Sequence, residues 1–216
     1  MSGKGLWRPT MTRGALVLLW SLAWAGSCPA ETPGNVVKSL IDEVQRILQH
    51  TPSDSPAQKQ QRLALIEQAT TRHLDYAEMA KRSLGPAWNT ISRSQQEEFV
   101  QLFSALLKSA YAGRLDEFVH ARVVYQSEDN HPDGAEVRIL ILRQNDRIPV
   151  TFRLLREDRG WMVYDLVIEG VSLVANYRSQ FSRVIEGSSY QALVRCLQAK
   201  VRADSGLRAE AEEDED

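Results

Sequence analysis

Cysteine is nearly missing from this chain of 216 residues: Cys28 and Cys196 are its only two, and neither stands in a Cys-x-x-Cys or zinc-ligand spacing. A disulfide framework and a cysteine-based metal centre are therefore not expected. Its four histidines, His50, His73, His120 and His131, are scattered, and none belongs to a His-Glu-x-x-His word, so surface or capping roles are expected for each. A glycine-rich phosphate loop and a Gly-x-Ser-x-Gly nucleophile elbow are both lacking. Neither sign of charge dominates, with 26 basic and 28 acidic side chains, and no basic footprint points to nucleic acid. Internal repeats are lacking too. The longest apolar run, residues 15–25, falls well short of the roughly 20 residues that span a bilayer.

What is present is 43% hydrophobic and 25% charged, enough for one globular domain with a real core. The first 30 residues read as a secretory signal peptide: Lys4, Arg8 and Arg13 precede the apolar run, and Gly-Ser-Cys-Pro-Ala suits cleavage after Ala30. Cys28 lacks the leucine three positions earlier that marks a lipoprotein, so simple cleavage to a soluble periplasmic protein is expected. Cys196, left alone on a C-terminal helix, is expected to be a small buried residue. Without the signal the net charge becomes −5, and residues 204–216 hold seven acids against Arg208 alone. The body, 31–203, is close to neutral, and the tail, 204–216, is expected to be disordered and dispensable.

Helical spacing recurs from Val36 to Leu48, then around Leu63, Ile66 and Ala69 after the cap Ser55-Pro56, then from Leu74 to Leu84, closed by Gly85-Pro86. Trp88 lies in the following connector. Ser92 with Gln95, or Ser94 with Glu97, can form a capping box for the longest helix, whose wide apolar face carries Phe99, Leu102, Phe103, Leu106, Leu107, Ala110 and Tyr111. From Ala121 the period becomes that of strands. Runs at 121–127, 135–144, 147–156 and 161–168, joined by short turns, predict a four-stranded antiparallel meander, with Pro149 near a strand start or on an edge. In the last strand Trp161, Val163, Asp165 and Val167 share one face and Met162, Tyr164, Leu166 and Ile168 the other, so both faces are expected to be covered. Gly170 permits a bend and Ser172 can cap the next helix, with Val174, Tyr177, Phe181 and Ile185 at helical spacing. A last amphipathic helix follows from Tyr190 to Val201.

Asp165 is the titratable group that stands out, because a carboxylate in an apolar strand needs a partner or shifts its pKa. Arg178 is such a partner by position. The larger signal is an excess of apolar surface: a sheet with a doubly apolar strand, faced by a wide helix stripe, can enclose a cavity or a solid core. Pattern alone favours the solid core.

Several words stand in a telling order: Leu74-Asp75-Tyr76-x-x-Met79-Ala80, Leu84-Gly85-x-x-Trp88, Gln95-x-x-x-Phe99-x-x-x-Phe103-x-x-Leu106-Leu107, and Trp161-x-Val163-Tyr164-Asp165-x-x-Ile168-Glu169-Gly170-Val171-Ser172-Leu173. From about residue 34 to 203 the chain resembles the periplasmic phospholipid-binding proteins of the maintenance-of-lipid-asymmetry (Mla) pathway, also called toluene-tolerance or auxiliary ABC-transporter substrate-binding proteins. Asn176 to Phe181 matches a branch that includes relatives encoded beside hopanoid-synthesis genes, so hopanoid or another lipid is an alternative cargo. The acidic tail is no part of the pattern.

The resemblance implies an α+β fold: a curved four-stranded antiparallel sheet with six to seven helices around a deep apolar pocket. It implies no cofactor and no enzyme activity, phospholipid being cargo. It also implies a monomer that shuttles lipid between an outer-membrane lipoprotein–porin complex and an inner-membrane ABC transporter. The pocket is expected to be lined by Leu102, Phe103, Leu106, Leu107 and Tyr111 of the long helix and by Val137, Ile139, Ile141, Val150, Phe152, Val163 and Leu166 of the strands, with Val171 and Val174 at its mouth beside Gly170, a candidate hinge. Within the sheet, Val137, Ile139 and Ile141 go together and oppose Leu140 and Leu142. Two alternatives of another class are a small envelope enzyme with Asp165 as buried base and a ligand-free adaptor.

Overall fold

Each of the six α-helices among the described residues begins at a residue whose short side chain accepts from the first turn, in the manner that satisfies otherwise orphaned N–H groups. In the computed structural model, which describes residues 31–112, 115–143 and 146–213, with side chains to 203, α1 (Pro33–His50) starts behind Thr32, whose Oγ1 accepts from Asn35 N–H at 3.2 Å. A full capping box of Ser55 and Gln58 opens α2 (Pro56–His73). Asp75 accepts from Ala77 and Glu78 at the start of α3 (Tyr76–Leu84), both at 3.0 Å. For α4 (Arg93–Ala112), Ser92 and Gln95 bond reciprocally at 2.9 and 3.3 Å, the first of the two expected boxes. Ser172 opens α5 (Leu173–Gly187), and Ser189 opens α6 (Tyr190–Glu213). Trp88 lies in a 3₁₀ turn, Gly85–Thr90, between α3 and α4.

The strands β1 (Arg122–His131), β2 (Gly134–Arg143), β3 (Asp146–Glu157), β4 (Gly160–Ile168) and β5 (Val171–Ser172) pair in sequence order as an antiparallel meander. Among the described residues there are five strands, not four. The additional one arises because Glu169 (φ 51°) and Gly170 (φ 82°) adopt two successive positive φ values, the signature of a type I′ hairpin loop, which brings Val171 opposite Ile168. Pro149 is the fourth residue of β3, one position beyond the last β3–β4 pair, and its carbonyl accepts from Glu169 N–H at 2.9 Å.

The doubly apolar pattern of the last strand has a different cause from the one expected. Arg153 pairs with Asp165 but Leu154 with Val163, so Tyr164 is an extra residue and the strand changes parity there. Trp161 and Val163 before the bulge, and Leu166 and Ile168 after it, therefore pack into the same core. Val36, Val37 and Leu40 of α1 fill that core against Val137, Ile139, Val150, Phe152, Leu154 and Val163. The connector between α2 and α3 joins its edge by a parallel bridge from Leu74 to Val163, with Asp75 N–H donating to Val163 O at 2.8 Å.

A second core is built by α3, α4, α5 and α6. Its centre is aromatic: Phe99 meets Phe181 edge-on at 5.7 Å, and Phe103 meets Tyr177 edge-on at 5.4 Å. Two details differ from expectation. Cys196 is exposed, because Tyr190, Leu193 and Leu197 take the buried side of α6; Ala110 and Tyr111 are also exposed, near the end of α4. The helical backbone of α6 continues past Asp204 to Glu213. The expected signal peptide lies outside the described residues. Among those residues no helix is long and apolar enough to cross a membrane.

Candidate functional site

The two cores do not merge. α1 spends its apolar stripe on the sheet, the α3–α6 bundle spends its aromatics on itself, and between them lies a cavity of about 500 Å³. Leu40, Ile41, Val44 and Leu48 of α1 form one wall, Leu63 and Ile66 of α2 the next, and Leu74 of the α2–α3 connector with Met79 of α3 a third. The sheet contributes Val123, Ile139, Ile141, Phe152 and Leu166; α4 contributes Ala105, Leu107 and Tyr111. Leu115 and Phe118, in the 3₁₀ turn Leu115–Phe118, close one end together with Ala121. Buried Arg62 of α2 bridges to Asp116 of that turn and so ties the wall to the end. Leu173 and Val201 complete the lining.

Polar groups at the lining are few, and all but one lie toward α2, α3 and α4. Gln45, the exception, donates from Nε2 to Ala121 O at 2.8 Å. Glu67 and Lys108 form an ion pair across the α2–α4 seam. The Lys108 ammonium lies 5.8 Å from the centre of the Tyr76 ring, and the Tyr76 hydroxyl donates to Thr70 Oγ1 at 3.1 Å. Burial pushes the Tyr76 phenol above the ordinary tyrosine range. Such a space, apolar over most of its wall with a few polar groups on one side, suits a ligand with a long apolar part and a polar end.

Of the residues singled out from sequence, Leu107, Tyr111, Ile139, Ile141, Phe152 and Leu166 line this cavity. Phe103, Leu106 and Val174 are instead buried in the helical core, and Leu102 packs against it. Val137, Val150 and Val163 fill the core under α1. Val171 is 59% exposed on the two-residue strand. The wide face of α4 has two duties: Phe99, Phe103, Leu106 and Leu107 fill the bundle core, and Leu107 and Tyr111 also border the void. Leu140 and Leu142 are not among the lining residues, in keeping with their opposite parity to Ile139 and Ile141. The contribution of α1 and α2 was not anticipated, although the α1 stripe has residues to spare: Ile41 and Val44 flank the sheet core and Leu48 extends beyond it.

Asp165 is buried but does not line the cavity. It accepts from Val174 N–H at 3.0 Å, from Ser172 Oγ at 2.6 Å and from Arg153 Nη1 at 3.3 Å. It is thus a tertiary cap on α5, paired with the residue opposite it in the sheet. Arg178 is not its partner: that guanidinium turns to α3 and donates to Arg82 O at 2.7 Å. Among the described residues no group of three or more His, Cys, Asp or Glu side chains could hold a metal ion.

Comparison with known proteins gives three findings. The family described as "MlaC protein" matches residues 38–199. The intermembrane phospholipid transport system binding protein MlaC of Haemophilus influenzae is 24% identical over 132 residues, an alignment that spans 58% of this chain and 61% of that protein. A phospholipid-binding protein of Ralstonia solanacearum, solved in complex with a phospholipid, has the same fold, with a TM-score of 0.71 and 23% identity over 80% of this chain and 98% of that one.

Proposed function

Because this chain belongs to the MlaC family, we propose that it is a phospholipid carrier of the periplasm, which holds acyl chains in its cavity and moves lipid between an outer-membrane lipoprotein–porin complex and an inner-membrane ABC transporter. The observation that carries the proposal is the apolar cavity between the two cores. Its volume of about 500 Å³ falls in the range of ligand sites. A diacyl lipid exposes some 30 methylenes to water, each worth about 0.8 kcal/mol when buried, so a dry wall supplies affinity without specific polar contacts. Release then needs movement of helices against the sheet, and the cavity lies where α1, α2 and α4 meet with no shared core.

The secretory pattern of residues 1–30 supports the compartment, and the family supports the two membrane partners. The enzymatic alternative required Asp165 as a base, but that carboxylate is committed to capping α5 and lies off the cavity wall. The test is organic extraction of the purified native protein followed by mass spectrometry. A phospholipid present at close to one molecule per chain is expected. Protein that carries no lipid, and takes up none from phospholipid vesicles, would refute carriage and favour the adaptor.

A further inference from the structure

Among the described residues that line the cavity, Lys108 is the only cation and Glu67 the only anion, and the two are paired with each other. Their side chains are 34% and 50% exposed, so the pair stands at the rim, wet enough to meet a headgroup and near enough to the void to hold one over it. Thr70 and Tyr76 adjoin it on the same side, with the Tyr76 ring under the Lys108 ammonium. Elsewhere the described lining is apolar apart from Gln45, Ser109 and the Tyr111 hydroxyl.

We propose that the Glu67–Lys108 pair is the headgroup site of the cavity and that it selects zwitterionic aminophospholipids, of the phosphatidylethanolamine type, over anionic ones. The inference rests on the carrier function above and adds the cargo class. An ion pair that opens to admit a ligand loses its own attraction, so the ligand must return it. A phosphoethanolamine headgroup returns both halves: its phosphate takes the Lys108 ammonium, and its own ammonium, with three N–H donors, takes the Glu67 carboxylate. A phosphoglycerol headgroup returns only the first, and leaves Glu67 beside a second negative charge. The asymmetry comes from Glu67. A rim built for anionic lipid would present Lys108 alone.

The experiment separates this claim from carriage itself. The purified protein is stripped of lipid with detergent, incubated with equimolar vesicles of dioleoyl phosphatidylethanolamine and dioleoyl phosphatidylglycerol, repurified and extracted for mass spectrometry. Identical acyl chains make the cavity blind to everything but the headgroup. The wild type is expected to hold the ethanolamine lipid in about two- to fivefold excess, the range that an exposed ion pair supports. Glu67→Gln should bring the ratio to about one, while the charge swap Glu67→Lys with Lys108→Glu should restore the preference, since the pair is kept with its ends exchanged. The swap also keeps the question answerable should the single variant fold poorly. A wild type that loads lipid at the input ratio, or a swapped protein that binds both lipids equally, overturns the headgroup site and leaves carriage standing. A wild type that takes up neither lipid overturns carriage, and this inference with it.

Discussion

Asp165 receives hydrogen bonds from Arg153 of the neighbouring strand, from the Ser172 hydroxyl and from the first turn of α5, all in a setting where the residue is 2% exposed. Asp165→Ala strands the Val174 N–H and the Ser172 hydroxyl without an acceptor, and should cost about 2–4 kcal/mol, read as a shift of the urea midpoint at constant slope. Position along the chain suggested Arg178 as its partner, and a double-mutant cycle distinguishes the two arginines. Coupling of Asp165 to Arg178 should be within about 0.5 kcal/mol of zero, and to Arg153 measurably larger; the reverse order would contradict the geometry. Gly170 is legible in both senses of its role. Its φ of 82° is one that a Cβ opposes, although nothing lies within 4 Å of where that Cβ would stand, so Gly170→Ala should cost about 1 kcal/mol through backbone strain alone. As a hinge it must do more: lipid transfer between donor and acceptor complexes should slow at a temperature where the variant is folded. Normal transfer by the folded variant would leave Gly170 as a turn residue.

At the scale of elements, alternation along β2 gives the sharpest expectation. Photocrosslinkers at Ile139, on the cavity wall, and at Leu140, on the opposite face, should label bound lipid unequally, with Ile139 ahead; equal labelling would place the cargo elsewhere. Helices were the most legible part of the fold, because Ser55, Ser92 and Ser172 are caps in sequence and in space. β4 was harder. Its pattern showed two apolar faces, but a bulge at Tyr164 is a register event between two strands, and parity within one strand cannot reveal it. The fifth strand had a local sign, the two-residue loop Glu169-Gly170 between Val167-Ile168 and Val171-Ser172, which also reads as a simple bend into a helix. Site residues divided on a tertiary question: Phe103 and Leu107 are one turn apart on α4, equally apolar and both in the helical core, yet only Leu107 also lines the void. The same reasoning bounds α6. Val201 lines the cavity, so removal of residues 204–216 spares every lining residue among the described side chains. The truncated protein should keep its melting temperature and its lipid, and a large loss of either would give the acidic segment a structural role.

For the molecule as a whole, the void is the consequence of having two cores with one seam. A protein of this size ordinarily packs its interior to crystal density, and the atoms around an unfilled apolar space forgo dispersion contacts on one side. The empty carrier should therefore be less stable than its cores allow, and filling the space artificially should stabilise it while it abolishes function. Ala105 is the position for that substitution: it lies within α4 at the cavity wall, and of the three alanines that line the space it is the one inside a helix rather than at its end or beyond it. Ala105→Phe should raise stability by about 1 kcal/mol, or about 2–4 °C in melting temperature for a domain of this length, and lower the lipid recovered by extraction. Ala110→Phe, on the exposed side of the same helix, is the control and should change neither. Measurements belong on protein stripped of lipid, because bound lipid raises the apparent stability of the wild type by mass action and would mask the gain. If Ala105→Phe melts higher and still carries its full load of phospholipid, the space between the cores is not where the acyl chains go.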